Sequence, residues 1–442
     1  MDLAPASGSA GQPWRRPQTY WPALSQALTG HGQPIVTLDL TALEHNLDEL
    51  TRRADGVRIR VASKSVRSRP VIESVLGQDG YGGILAYALA EAVWASRWCE
   101  DVLMGYPSTD THALAQLLAD EQAVHRVTLM IDSTAHLDLI DMVASAGRRP
   151  EVRVAIDLDL AYDPPRAGRL TGRVGVYRSP VATAQAARRL ASAVVARPGF
   201  RLVGVMGYEA QIAGVGDQGP AQDGTGPLSR ATAAAQQART LVLRRLQADS
   251  WGDVLERRSA MVTGIRAVAE EAGTPLELVN GGGTGSVHLT RQDPSVTEIA
   301  AGSGLFGPTL FDRYRAFSPA PAAAFALPVV RRPAADIATV AGGGWIASGP
   351  PGPDRLPRVV WPGAVQLVGN EGAGEVQTPL RGPGAAGLSV GDLTWWRHAK
   401  AGELSEHTHA FTLVRSRVSG GDVEIDRAGT ALTYRGEGKA FG

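Results

Sequence analysis

Apolar residues along the chain fall into short unbroken runs, separated by longer stretches in which they recur at every third or fourth place. From residue 58 onward the two textures alternate. Runs at 58–62, 83–86, 101–104, 127–131, 151–156, 202–206, 276–279 and 297–299 read as strands. Helical spacing follows from about Pro70, through Glu91 to Trp98, over 134–146, over 180–196 and, at greatest length, over about 228–271. Near-continuous apolar strands alternating with helices predict a parallel sheet covered on both faces. Eight such units favour closure into a (β/α)₈ barrel over an open doubly wound sheet. The first turn, Ala62-Ser63-Lys64-Ser65, also lacks the glycines of a dinucleotide-binding turn.

Upstream, Pro34-Ile35-Val36-Thr37-Leu38-Asp39-Leu40 is an extended apolar run. It leads into a helix with Thr41 as cap and Leu43, Leu47 and Leu50 on one face. Beyond residue 318 the texture changes again. Pro/Ala-rich and Gly/Pro-rich turns at 318–324, 349–357 and 382–388 separate short runs such as 359–361, 364–368, 393–396 and 411–414. These predict a compact β domain. The resulting organisation is a loosely packed, partly disordered leader over 1–32, a barrel domain over 33–318 and a C-terminal β domain over 319–442.

Composition narrows the function classes. Of the 442 residues, 44% are hydrophobic, enough for a sizeable core and against disorder. Lys plus Arg and Asp plus Glu are both 44, so no broad basic face is offered to nucleic acid or to an anionic membrane. No run approaches the roughly 20 apolar residues that span a bilayer, and Met1 to Arg16 has no apolar signal core, so the expectation is a cytoplasmic protein. The single cysteine, Cys99, excludes an internal disulfide framework and a cysteine-based zinc cluster. Its neighbours Val93, Trp94 and Trp98 predict a packed thiol.

In such a barrel, chemistry gathers at the C-terminal ends of the strands. The first strand ends at Lys64, either a solvated loop charge or an amine able to condense with a carbonyl. The seventh ends in Asn280-Gly281-Gly282-Gly283-Thr284-Gly285-Ser286, the eighth in Ala301-Gly302-Ser303-Gly304. Glycine lets backbone N–H groups approach an anion, and barrel phosphate sites commonly use these two loops. Two such loops opposite a strand-end lysine make a stronger signal than either alone. Asp157, Asp159, Arg166, Arg173 and Arg178 follow the fifth strand. The sixth ends in Gly207-Tyr208-Glu209. Arg173 is either a surface arginine or a donor to a cofactor phenolate oxygen. Glu209 is either a salt-bridge partner or a carboxylate facing a cofactor pyridine ring, with Tyr208 a further contact.

These residues resemble the fold-type III pyridoxal-phosphate enzymes, and within them the D-threonine aldolase and D-serine dehydratase branch of the alanine racemase-like superfamily. The carriers are 34–39 leading into Leu43-Glu44-His45-Asn46-Leu47, Lys64, Gly172-Arg173-Val174-Gly175, Gly282-Gly283-Thr284 and Thr297-Glu298-Ile299-Ala300-Ala301-Gly302-Ser303. The resemblance spans about 33–442. It implies that Lys64 forms a Schiff base with pyridoxal 5'-phosphate, that Arg173 contacts the ring oxygen, and that Gly282, Gly283, Gly302 and Ser303 line the phosphate pocket. It also implies a homodimer acting on small amino acids and aldehydes, with D-configured substrates.

Such enzymes carry a Glu-His-Gly motif, a Gly-Asp and a His-x-Cys or His-x-Asp pair that binds a divalent metal. Here Asn370-Glu371-Gly372 lacks the histidine, and Gly391-Asp392 is followed by His398-Ala399-Lys400. An ammonium cannot ligate a cation. The expectation is therefore that no metal is held, that Lys400 supplies its positive charge and that His398 serves as base or donor at the substrate hydroxyl. Glu406-His407-Thr408-His409 is a rival metal cluster if its two rings share one face of a strand. The predicted reaction is cleavage or formation of the Cα–Cβ bond of a β-hydroxy-α-amino acid through a quinonoid. A dehydratase that expels the β-substituent is the alternative, with a racemase or a non-catalytic cofactor-binding protein behind it.

Overall fold

The computed structural model describes the chain except residues 2, 4–10, 165–171, 219–226, 351, 401 and 442, and except the side chains of 227–234. A first helix, α1 (Pro17–Ala27), precedes strand β1 (Ile35–Asp39) and α2 (Leu40–Ala54), where the Asp39 side chain accepts the Thr41 N–H as N-cap. The αβ alternation then runs β2 (Arg58–Ala62), α3 (Arg69–Leu76), β3 (Tyr81–Ala86), α4 (Leu89–Ala95), β4 (Val102–Met104), α5 (Thr111–Ala119) and α6 (Glu121–Arg126). It continues through β5 (Val127–Ile131), α7 (Thr134–Val143), β6 (Val152–Leu158), α8 (Ala184–Val195), β7 (Phe200–Gly207), α9 (Ala210–Ala213), α10 (Pro227–Glu271), β8 (Leu278–Gly281) and β9 (Glu298–Ala301).

Strands β2 to β9 close in sequence order into a parallel barrel. The seam is sealed by β2 on β9, with Arg58 opposite Glu298 and Val61 opposite Ala301. Inside that seam the buried Arg60 guanidinium donates to Glu298 at 2.6 Å and to Asp101 at 2.8 Å, and Asn280 donates to Glu298 at 2.8 Å. A dry ion pair adds little net stability, but it penalises any register that separates its members. The eight predicted barrel strands are all present, and the long helix predicted at 228–271 is α10, of 45 residues. Cys99 is a free, buried thiol.

The C-terminal strands β10 (Ala323–Ala334), β11 (Ile337–Ala341), β12 (Arg358–Trp361), β13 (Gln366–Leu367), β14 (Gln377–Arg381), β15 (Leu393–Arg397), β16 (Ala410–Ser419) and β17 (Asp422–Leu432) build a mixed sheet. Its spine runs β13-β14-β11-β10-β1-β16-β17, with β15 joining β10 to β12. The sheet thus takes β1, from the chain's beginning, between two C-terminal strands. Leu38 pairs with Ala323 on one side and with Leu413 on the other. Sequence reading had attached this run to the barrel, because an apolar strand followed by an amphipathic helix looks the same in either place.

The expected loose leader is also corrected within its described part. Tyr20, Trp21, Leu24 and Leu28 are buried against Ile35, Trp395 and Val423, and Tyr20 donates to Asp39 at 2.9 Å. A Gly/Pro-rich opening had masked that apolar helix. Among the described residues no helix is long and apolar enough to cross a membrane.

Candidate functional site

Lys64 leaves the end of β2 in a short turn, Ser63–Ser65, and its Nζ donates to the Tyr106 Oη at 2.7 Å. Both line a cavity of about 540 Å³ at the C-terminal mouth of the barrel. The cavity also takes in Tyr208, Arg178, the loop residues Gly282, Gly283 and Thr284, the turn Gly302-Ser303, and Lys400, Arg355 and Glu403 from the β domain. Its volume suits a cofactor with a small substrate. Residues from six barrel loops and two β-domain loops therefore converge where a barrel fold places chemistry.

The floor nearest the two glycine loops is lined by hydroxyls and close-packed backbone. The Ser65 and Ser303 hydroxyls lie 2.9 Å apart, and Thr284 Oγ1 accepts the Gly304 N–H at 3.1 Å. A Cβ at Gly302 would come within 2.5 Å of the Ala62 carbonyl oxygen, so this turn packs directly on the strand that carries Lys64. The amides of Gly282 and Gly283 are already bonded, to Glu209 at 3.2 Å and to Ser286 at 3.2 Å. These glycines shape the loop.

Of the two sequence readings of Glu209, the structure shows the salt-bridge partner. It is fully buried and faces away from the cavity, whereas its neighbour Tyr208 faces in. Its Oε2 accepts from Arg258 at 2.6 Å, and its Oε1 accepts from Ser286 at 3.1 Å and Thr290 at 2.5 Å. Arg258, also fully buried, reaches on to Asp293 at 2.9 Å. Both Glu209 oxygens are spent on the glycine loop and its following helical turn, leaving none for a pyridine ring. Glu209 is a positioning residue.

Arg173 is likewise displaced. It pairs with Asp159, donates to the Val176 carbonyl oxygen and lies over the Tyr177 ring, outside the cavity wall. Arg178 takes the position at the wall, held by Asp157 at 2.8 Å and the Gly105 carbonyl oxygen at 2.6 Å. Both arginines follow the same strand, and sequence alone had no way to rank them. Arg166 lies outside the described residues. Burial raises the Asp157 carboxyl to about 6 despite Arg178 beside it. Tyr106 and Arg178 had no assigned role in the sequence reading. For the Tyr106 phenol, burial pushes upward, but Lys64 and Arg178 outweigh it and leave the group below its ordinary range. Tyr208, by contrast, is pushed up to about 12 by burial, with Glu209 adding.

On the β-domain side, Lys400 reaches the cavity and His398 does not. The His398 backbone carbonyl accepts the Thr309 N–H at 3.0 Å, which tucks its ring into the seam between the two domains. There it is 2% exposed, and neither ring nitrogen has a hydrogen-bond partner among the described residues. Burial, with Arg397 adding, pushes its pKa down to about 3. The expected base is thus a neutral, sealed imidazole. Because the folded value lies below the usual 6.5, the unfolded chain binds the extra proton, and stability falls as pH drops below about 6.5. His398→Leu is expected to flatten that acid limb, which reaches about 2.7 kcal/mol two pH units below 6.5. Denaturant midpoints at pH 7 and pH 4.5 measure it, and an unchanged limb would refute the assignment. The rival pair fails geometrically: His407 and His409 precede β16 in a turn, and His407 stacks on Trp345 with centroids 4.7 Å apart. No group of three or more metal-ligating side chains occurs among the described residues.

The turn that carries Lys64 is held from the far end of the chain. A Cβ at Gly402, whose φ is +104°, would meet the Lys64 carbonyl oxygen at 2.1 Å. Ser405 donates to the Val66 carbonyl oxygen at 2.7 Å, Arg67 pairs with Glu406 at 2.6 Å, and the Tyr434 N–H donates to the Arg67 carbonyl oxygen at 2.7 Å. The Tyr434 hydroxyl reaches the buried Glu91 at 3.0 Å. The polar C-terminal stretch, which had no assigned role in the sequence, is this clamp.

Comparison with known proteins agrees with the architecture. The sequence matches no curated protein. The fold is similar to a D-threonine aldolase from Filomicrobium marinum, at 18% identity over 92% of this chain and 95% of that one, with a TM-score of 0.67. It is similar to D-threo-3-hydroxyaspartate dehydratase from a Delftia species, at 20% identity over 92% and 98%, TM-score 0.65. An alanine racemase from Corynebacterium glutamicum matches at 16% over 83% and 89%, TM-score 0.51. Residues 38–309, more than half of the chain, match the family model described as alanine racemase, N-terminal domain, a pyridoxal-phosphate-dependent family. With its closed eight-stranded barrel, its appended β domain and its strand-end lysine, the chain belongs to the alanine racemase N-terminal domain family.

Proposed function

We propose that the protein is a pyridoxal-phosphate-dependent lyase that breaks or makes the Cα–Cβ bond of a β-hydroxy-α-amino acid. The observation that carries this reading is one cavity uniting the Lys64 amine, a hydroxyl-lined floor and a second ammonium, Lys400, on the opposing domain. The residues fit the cofactor. Lys64 would hold it covalently, while Ser65, Ser303, Thr284 and the close-packed Gly302 turn would hold its phosphate. Tyr208 would wall the ring. When bound, the cofactor supplies the electron sink that stabilises the carbanion left at Cα.

The chain's own residues do the rest. Tyr106 Oη accepts the Lys64 N–H at 2.7 Å, so proton transfer at Nζ has an immediate partner. Arg178, anchored by Asp157, keeps a positive charge beside Tyr106, with its guanidinium 5.1 Å from the ring centroid. Lys400 places fixed positive charge where the substrate's oxygens enter. The β domain contributes Ser348, Arg355, Lys400 and Glu403 to one wall of the cavity.

Loss of the β-substituent as water is the competing outcome in the same cavity. The two are separated by product: D-β-hydroxy amino acids given to the loaded protein are expected to release an aldehyde, read with an alcohol dehydrogenase couple. Release of ammonia and a keto acid without aldehyde would replace the aldol reading by the dehydratase one.

A further inference from the structure

On the β-domain wall, Arg355 and Lys400 face the barrel mouth with Ser348 and Glu403 between them. Among the described residues Lys400 makes no hydrogen bond or ion pair, although it is half-buried. The Arg355 side chain is only 19% exposed, and its Nε is buried without a partner. Its one ion pair, with Asp354 at 2.5 Å, uses the outward Nη1. Glu403 accepts the Ser348 N–H at 2.9 Å through Oε1, and its Oε2 is buried without a partner. Two partly desolvated cations, Arg355 and Lys400, face two carboxylates, Asp354 and Glu403, and of the two cations Lys400 is the one without a hydrogen-bond or ion-pair partner among the described residues. Arg355 and Lys64 both push the Lys400 ammonium below its ordinary range, after burial itself. Half-buried like charges repel, and such an arrangement is relieved when an anion enters between them. The remaining cations of the cavity are engaged as well: Arg67 by Glu406, Arg178 by Asp157 and Lys64 by Tyr106.

We propose that Arg355 and Lys400 form a clamp for a carboxylate of the substrate, with Glu403 beside them tempering its positive charge. This rests on the cofactor reading above and specifies which substrates fit: amino acids whose α- or side-chain carboxylate meets the clamp, and not amines that lack one. Charge-assisted hydrogen bonds to a carboxylate are stronger than neutral ones and can dominate binding at a partly desolvated site.

The test uses the loaded protein and reads dissociation constants from the change in cofactor absorption on adding D-alanine, D-aspartate or ethanolamine. In Arg355→Gln and in Lys400→Met, binding of D-alanine or D-aspartate is expected to weaken on the order of tenfold or more, while ethanolamine binds as before. Weakening of D-alanine assigns the clamp to the α-carboxylate, and weakening of D-aspartate alone to the side chain. Glu403→Gln keeps the acceptor for the Ser348 N–H, raises the net charge and is expected to tighten the amino acids, a change that general damage to the fold cannot produce. Equal weakening of all three compounds, or of none, overturns the clamp. If the protein takes up no pyridoxal phosphate, the functional reading fails. Calorimetric titration of the unloaded protein with malonate then decides the clamp alone: binding that the variants lose supports it, and no binding overturns it.

Discussion

Glu209→Ala is expected to cost the fold about 3–5 kcal/mol, because it strands a fully buried arginine. Arg258 and Glu209 are each 0% exposed as side chains and 2.6 Å apart. Once the carboxylate is gone, Arg258 keeps only Asp293 and the distant Gly207 carbonyl oxygen at 3.4 Å. Ser286, Thr290 and the Gly282 N–H lose their acceptor in the same stroke. The damage should therefore spread to the phosphate end of the cavity. The unfolding midpoint is expected to drop sharply and affinity for pyridoxal phosphate to fall, with the absorption maximum of the remaining bound cofactor unmoved. Glu209→Gln, which keeps an acceptor, is expected to recover part of both. A stable Glu209→Ala protein whose cofactor band is shifted would instead restore a place for Glu209 against the ring.

Lys64→Ala is expected to do the reverse: little to stability, nearly everything to chemistry. The side chain projects into the cavity, and its one side-chain hydrogen bond is to Tyr106. Its removal leaves no buried group unpaired, and a change within about 1 kcal/mol is expected. Turnover is expected to fall on the order of 10³-fold or more, as for the loss of other covalent catalysts. In the wild type, borohydride should fix one pyridoxyl group on the peptide containing Lys64, read by mass spectrometry. In the mutant no peptide should carry it. A pyridoxyl group on Lys400 in the wild type would reassign the attachment and, with it, the direction in which the cavity works.

Much of the architecture was legible in the sequence because the barrel repeats one signal eight times, an apolar run followed by an amphipathic stretch. Lys64, Gly282, Gly283, Thr284, Gly302 and Ser303 were legible because strand-end loops in a barrel converge by construction, and all six line the one cavity. Errors arose where the answer depends on which way a side chain turns. Tyr208 and Glu209 are neighbours, yet one faces the cavity and the other is locked behind it. Arg173 and Arg178 share a loop, and only ion-pair geometry separates them. His398 and Lys400 are two residues apart past the end of β15, where the regular alternation of a strand no longer holds. One further signal was present in the sequence. The chain has three lysines, Lys64, Lys400 and Lys439, among its 44 Lys and Arg residues, and two of the three line the cavity. Where arginine otherwise serves for positive charge, a retained lysine marks a place that needs a compact ammonium or a free amine.

The clamp on the Lys64 turn has a consequence for the timing of assembly. Lys64 leaves the ribosome well before Gly402, Ser405, Glu406 and Tyr434, which fix its turn. Strand β1 waits in the same way for β10 and β16, its two neighbours in the sheet. Tyr434 follows Lys64 by 370 positions, which take on the order of 20–70 s to translate. Until the bracing residues are made the Lys64 turn lacks these contacts, and until β10 and β16 are made β1 lacks its two neighbouring strands. Firm capture of cofactor is therefore expected only after synthesis has passed Tyr434. A protein truncated even a few residues before Tyr434 should emerge as an unloaded barrel, its lysine present and its catalytic posture missing.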